Sequence, residues 1–287
     1  MKIHNVRYNN LTVPEALESV LELVDCQKKA NIFFLNANCL NKARNDKEYK
    51  SVLDFADLVL SDGLGLKILS RLFGEPMKDN CNGTDLSPLI LEEAARRKLK
   101  IFFLGGKDGI ARQAAQNVQK KYPDILMVGT HSGYFSDDKA VIDQINRSGA
   151  DILFVAMGVP LQEKWIAKNR ALLNPSICLG VGALLDYLSG TLPRAPLWMR
   201  RMHMEWVWRI FVDPRRMVKR YLLEGISFII YSVFYVYCIK LQKLPLLSES
   251  LFLNWTRLNL IKASRVKILF VLPARIGGFI IRIRTCI

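Results

Sequence analysis

The stretch KIFFLGGKDGIARQAAQNVQKKYPDILMVG, residues 100–129, decides the fold. It opens on an apolar, β-rich run at Lys100–Leu104 and turns at a glycine pair. It then passes through a helical pattern near 108–121 and reaches a second apolar run at Ile125–Gly129. Strand, helix, strand, with runs this continuously hydrophobic, is the pattern of parallel strands buried on both faces. The alternation recurs outward in both directions. Strands are expected at Asn31–Asn36, Leu58–Ser61, Asp151–Ala156 and Ser176–Gly180, and helices near 14–29, 40–56, 63–73, 86–98, 137–147 and 161–173. The fold class is α/β: a doubly wound, mostly parallel, Rossmann-like sheet, followed by a basic, aromatic, helical C-terminal appendage. Segments are expected at 1–192 (the α/β body), 193–240 (the appendage) and 241–287, a tail to which the sequence assigns no structure.

Of the 287 residues 51% are hydrophobic and 23% charged, which excludes a disordered polymer, a collagen and a small disulfide scaffold. No run reaches the roughly 18–20 uncharged apolar residues of a simple membrane span. The N-terminal stretch lacks the apolar centre of a secretory signal. The six cysteines (26, 39, 81, 178, 238 and 286) form no CxxC pair and no zinc spacing, and read as reduced thiols of a cytosolic protein. Charge is placed unevenly. Residues 1–192 hold 24 basic and 22 acidic side chains, residues 193–287 hold 17 and 4. Such a block faces something anionic, and its mixture with Trp, Phe, Tyr and Met favours an anionic membrane surface over a merely solvated face. Residues 194–211 read as one aromatic, basic helix. Asp213-Pro214 reads as the start of another, with Arg216, Lys219 and Arg220 on one face. The fifteen uncharged residues 225–239 fit a shallowly inserted segment, a partner-binding helix or a core strand pair.

In doubly wound folds ligands bind at the carboxyl ends of strands, so chemistry is sought there. Asn36 and Asn38 follow the first strand; each amide either caps a helix or contacts a sugar or nucleotide. Asp62, in Ser61-Asp62-Gly63, is either an N-cap or a carboxylate raised into the crevice as a general base. In NGTD (82–85) either Thr84 or Asp85 would cap the next helix, and Asp85 could instead accept a hydroxyl. Gly105-Gly106 starts a GGxxG turn, which departs from the GxGxxG dinucleotide spacing and reads as a nucleotide-contacting turn of unspecified type. Gln162 either hydrogen-bonds a ligand or lies exposed in a first helical turn. Asp186 needs a partner if buried, for which Arg194 is a candidate.

Nine segments in order resemble one family, the WecG/TagA/CpsF bacterial glycosyltransferases, glycosyltransferase family 26. They are FLNANCLN (34–41), ADLVLSDGLGL (56–66), NGTDL (82–86), FLGGKDG (103–109), VGTHSGYF (128–135), MGVPLQEKW (157–165), GVGALLDYLSG (180–190), RAPLWM (194–199) and EWVWRIFVDPRRMVKRYL (205–222). The resemblance covers about residues 5–240. It implies an inverting enzyme that moves a sugar, N-acetylmannosamine-like or related, from a UDP-sugar onto a polyprenyl-diphosphate-linked saccharide in bacterial surface polysaccharide synthesis. It implies a peripheral location on the cytoplasmic face of the cell membrane and no cofactor or metal; the chain carries no DxD triplet. It further implies Asp62 as base, Asn36 and Gln162 as substrate contacts, and appendage arginines closing over the diphosphate, best placed at Arg209 and Arg216, with Arg215 as a further match. Many members carry Thr before the first Asn, where this chain has Phe33, Phe34 and Leu35, and this leaves the donor sugar open.

Three other classes are weighed. A nicotinamide-dependent oxidoreductase would use the GGKDG turn, but the glycine spacing is wrong and no ribose-binding acid follows the next strand. A nucleic-acid-binding protein is suggested by charge alone, with no recognised motif. A non-catalytic membrane-bound basic protein leaves the polar strand ends without a purpose. Self-association as a homo-oligomer is open.

Overall fold

A computed structural model describes residues 1–26, 28–202, 204–218 and 224–242. A short antiparallel hairpin, β1 (Lys2–Ile3) and β2 (Val6–Arg7), comes first, followed by α1 (Val13–Asp25) and β3 (Ala30–Leu35). Then come α2 (Ala37–Asn45), α3 (Lys47–Asp54), β4 (Leu58–Ser61), α4 (Gly63–Leu72), α5 (Gly83–Arg96), β5 (Lys100–Gly105) and α6 (Ile110–Lys121). The remaining body elements are β6 (Leu126–His131), α7 (Asp138–Arg147), β7 (Ile152–Ala156), α8 (Leu161–Asn169), β8 (Ile177–Gly180) and α9 (Leu184–Leu188). Four helices complete the order: α10 (Leu197–Arg201), α11 (Glu205–Val212), α12 (Pro214–Val218) and α13 (Ile226–Gln242). Residues Met1–Phe234 make one compact unit; of the second, which starts at Tyr235, the described residues continue α13.

Six strands form a single parallel sheet in the order β4-β3-β8-β7-β5-β6. All six expected strands are present, and their side chains alternate between two cores. Ile32 and Phe34, Ile101 and Phe103, and Ile152 and Phe154 face the layer of α1, α5 and α6. Phe33 and Leu35, Phe102 and Leu104, and Leu153 and Val155 face the layer of α2, α3, α4, α7 and α8. Both faces being covered is why the strands read as unbroken apolar runs rather than alternating ones.

The structure corrects several expectations. The pattern near 40–56 is two helices, broken at Asp46, which ends α2 and caps α3 through its side chain. The pattern at 194–211 is also two, α10, which closes at Met202, and α11, which opens from Met204. Residues 225–239 are helical, which excludes a core strand pair. The N-terminal hairpin is an addition that no sequence pattern marked. Among the described residues no helix is long and apolar enough to cross a membrane. Lys219, Arg220, the tail from residue 243 and the side chain of Arg216 lie outside the described residues.

Candidate active site

The carboxyl ends of β3, β4, β7 and β8 open into a cavity of about 410 Å³, within the range of small-ligand pockets. Asp62 follows β4 and stands at the N-cap position of α4, yet its side chain makes no capping hydrogen bond. Asn80 takes that task, its Oδ1 accepting the Gly63 N–H at 2.7 Å. The Asp62 carboxylate is left lining the cavity. Asn36 serves two purposes: its Oδ1 accepts the Cys39 N–H and caps α2, while its Nδ2 donates to Asp62 Oδ2 at 3.0 Å. The helix start thereby fixes the carboxylate. Asn38 and, one turn on, Lys42 project from α2 into the same cavity.

Gln162 is not an exposed first-turn residue: it is 2% exposed and lines the cavity floor. Its Oε1 accepts the N–H groups of Gly158 at 3.1 Å and Gly182 at 2.9 Å, which join the turns after β7 and β8. Asn82, rather than Thr84 or Asp85, caps α5, accepting the Asp85 N–H. Thr84 lines the cavity and donates its hydroxyl to Asn82 Oδ1 at 2.7 Å. Asp85 is outside the lining. It accepts Asn82 Nδ2 at 2.7 Å and pairs with Arg194 at 2.9 Å. Arg194 thus turns to Asp85, and at 3.7 Å to Glu205, instead of to Asp186. Arg209 lines the cavity, paired with Glu205 at 3.0 Å. Arg194 and Arg209 both lie over the ring of Tyr187, at 6.0 and 5.6 Å. Arg215 is exposed and does not line the cavity.

Gly105 and Gly106 stand elsewhere, at the end of β5, beside a shallow depression formed by Lys107, Asp108, Ser132 and Tyr134. The backbone demands both glycines. A Cβ on Gly105 would come within 2.4 Å of Ala156 O, and Gly106 has φ +68° with Ile110 beneath it. The motif that looked most like a nucleotide turn therefore has a packing reason of its own. No local pattern marks Lys42 or Tyr187, which sit on ordinary helices and become site residues only through packing. Among the described residues no three His, Cys, Asp or Glu side chains converge as metal ligands.

Residues 1–242 match the family described as glycosyl transferase WecG/TagA/CpsF. The chain belongs to this family. It is a glycosyltransferase, and neither an oxidoreductase nor a non-catalytic basic protein is favoured. It is 34% identical to an N-acetylglucosaminyldiphosphoundecaprenol N-acetyl-beta-D-mannosaminyltransferase of Bacillus spizizenii, over 67% of this chain and 75% of that protein. Proteins of the same name are 32% identical in Bacillus subtilis, covering 75% of this chain and 84% of that one, and 27% identical in Staphylococcus aureus, covering 80% and 91%. In this glycosyltransferase, Asn36, Asn38, Asp62, Thr84, Gln162 and Arg209 converge on one cavity, while Asp85, Gly105, Gly106, Arg194 and Arg215 do not line it.

Proposed function

We propose that this glycosyltransferase moves an N-acetylmannosamine-like sugar from a UDP-sugar to a polyprenyl-diphosphate-linked N-acetylglucosamine, with inversion. The observation that carries the reading is the Asp62 carboxylate, released from helix capping, held by Asn36 and turned into the cavity. An acceptor hydroxyl attacks the anomeric carbon while Asp62 takes its proton, and UDP departs from the opposite face. Positioned base catalysis of this kind contributes about 10²–10⁴-fold. Negative charge then grows on the departing diphosphate, and Arg209, with Arg216 and Arg215 following it in the chain, supplies guanidinium groups suited to it. Asn36, Asn38, Thr84 and Gln162 contact the sugars. Asp85 and Arg194 act indirectly, tying the start of α5 to the appendage. Gly105 and Gly106, in the turn after β5, are the proposed contacts of the donor nucleotide.

Enzyme incubated with a synthetic N-acetylglucosaminyl-diphosphoprenyl acceptor and a panel of UDP-sugars should release UDP with an N-acetylhexosamine donor, and only when acceptor is present. Acceptor-independent hydrolysis, or no release from any donor, would overturn the proposal.

The appendage, residues 193–240, is the proposed contact with an anionic membrane surface on the cytoplasmic side. Ile226, Ile229, Ile230 and Val233 are exposed at the spacing of one helical face, and Trp198 and Phe211 are exposed as well. Phosphatidylglycerol vesicles should retain the chain and phosphatidylcholine vesicles should not. Equal retention by both would remove the electrostatic part of this contact.

A further inference from the structure

We infer that Glu163 is a positioning residue of this site: one hydrogen bond from Gln162 to its carboxyl group sets the orientation of the amide that ties the turns after β7 and β8 beneath the cavity. The inference rests on reading the cavity as the transfer site.

Glu163 is 0% exposed. Its Oε1 accepts from Gln162 Nε2 at 2.8 Å, and its Oε2 finds no hydrogen-bond partner. A buried carboxyl with an orphaned oxygen is costly, and a well-packed apolar side chain in its place would serve the fold as well or better. What the carboxyl supplies is direction. The Gln162 Oε1 is already occupied by two N–H donors, Gly158 and Gly182. The Nε2 end therefore needs an acceptor on the side of Glu163, and with one hydrogen placed there the second is free to serve a ligand. Without that acceptor the Nε2 end is unheld and the amide can tilt about the two N–H groups that hold its oxygen, loosening the common tether of the two glycine turns. Burial pushes the Glu163 carboxyl up to about 7, while the Gln162 hydrogen bond and the Lys42 charge pull it down. The titratable neighbours that act with it are Lys42 and Cys39 from α2 and Tyr49 from α3. Asp62 also acts on Cys39. Cys178 of β8 responds instead to Arg170 and Lys29. The same group that orients the amide thus changes its charge near neutral pH.

The test uses the full chain labelled with ¹⁵N-glutamine, with the Gln162 side-chain signals identified by their loss in Gln162→Met. In the wild type these signals should titrate with a midpoint near 7. In Glu163→Gln, whose amide oxygen can still accept, they should persist without titrating. In Glu163→Leu they should broaden or move while the melting temperature does not fall. UDP release from UDP-N-acetylmannosamine with the acceptor above should show kcat lowered by about tenfold or more in Glu163→Leu. The donor KM should stay within about threefold, and Glu163→Gln should recover most of kcat. Wild-type kcat in Glu163→Leu overturns the inference, as does a Gln162 signal indifferent to both substitutions. If the wild type releases no UDP from any donor of the panel, the transfer reading fails, and the amide signals still decide whether Glu163 orients Gln162.

Discussion

Asp62 occupies a position from which an aspartate ordinarily caps a helix, and the sequence left that reading open against a catalytic one. The structure separates them because a second residue, Asn80, caps α4 in its place. The decisive residue lies 17 positions beyond Gly63 in a loop, and no local motif points to it. Asp62→Asn should therefore lower kcat by about 10²-fold or more while UDP affinity, measured by calorimetry, stays within about threefold. Retained turnover would remove Asp62 as the base. Glu163 gives a prediction of opposite sign for stability. Between the ordinary carboxyl value of 4.5 and about 7 the folded protein keeps a proton that the unfolded chain releases. Its contribution therefore falls as pH rises through that window and is constant above it. Glu163→Gln should melt higher than the wild type at pH 8, by an amount on the order of 2–3 kcal/mol, and the difference should vanish near pH 4. Glu163→Leu, no less stable yet less active, would carry the signature of a group retained for its chemistry.

At the scale of elements, the strands were legible because continuous apolar runs have one physical cause, burial on both faces. Helix boundaries were less so. LNKARNDKEYKSVL reads as one amphipathic run, and only the geometry of Asp46 divides it. The hairpin escaped notice because its strands are two residues each, too short for any periodicity. It nevertheless anchors α13. His4 at its tip packs against Phe73, Phe228 and Tyr231, and its Nε2 lies 2.8 Å from Ser232 Oγ. Arg44 covers the other partner, with its guanidinium 4.4 Å from the Tyr231 ring. Burial, aided by the Arg44 charge, lowers His4 from 6.5 to about 4. Protons are then taken up more readily when the contact is broken, so this docking is complete above about 6.5 and weakens as pH falls from there toward 4. His4→Ala, or a shift to pH 5, should lower amide protection factors, taken against the intrinsic exchange rate at each pH, across residues 226–234 while leaving those of the central strands unchanged. Unchanged protection there would mean that the hairpin does not hold the helix.

For the whole molecule, the site was half readable. Residues at strand ends announced themselves, since an amide or an acid after a buried run has few reasons to be there. Contacts that depend on distant packing did not. Arg194 and Asp85 are 109 positions apart, and Tyr187 gathers two guanidinium groups that the sequence places in separate segments. Among the described residues the cavity lining ends at Glu224, and the family match ends at residue 242. A chain cut after 242 should therefore retain UDP release with the synthetic diphosphoprenyl acceptor, measured against the full-length protein. Loss of turnover in a folded truncation would give the last segment a part in the reaction.

Asn36, Asn38, Asp62, Thr84 and Gln162 stand on one rim of the sheet, where the strands finish. The rim where they begin carries ordinary turns, such as the exposed Asp124 before β6, held by a surface pair with Lys98, and the exposed Asn174 before β8. Among the described residues, no group assigned to sugar transfer stands there. That side is the natural handle: a fluorophore or a tether to a solid support fixed at Asp124 would leave the enzyme facing its lipid-bound substrate unhindered.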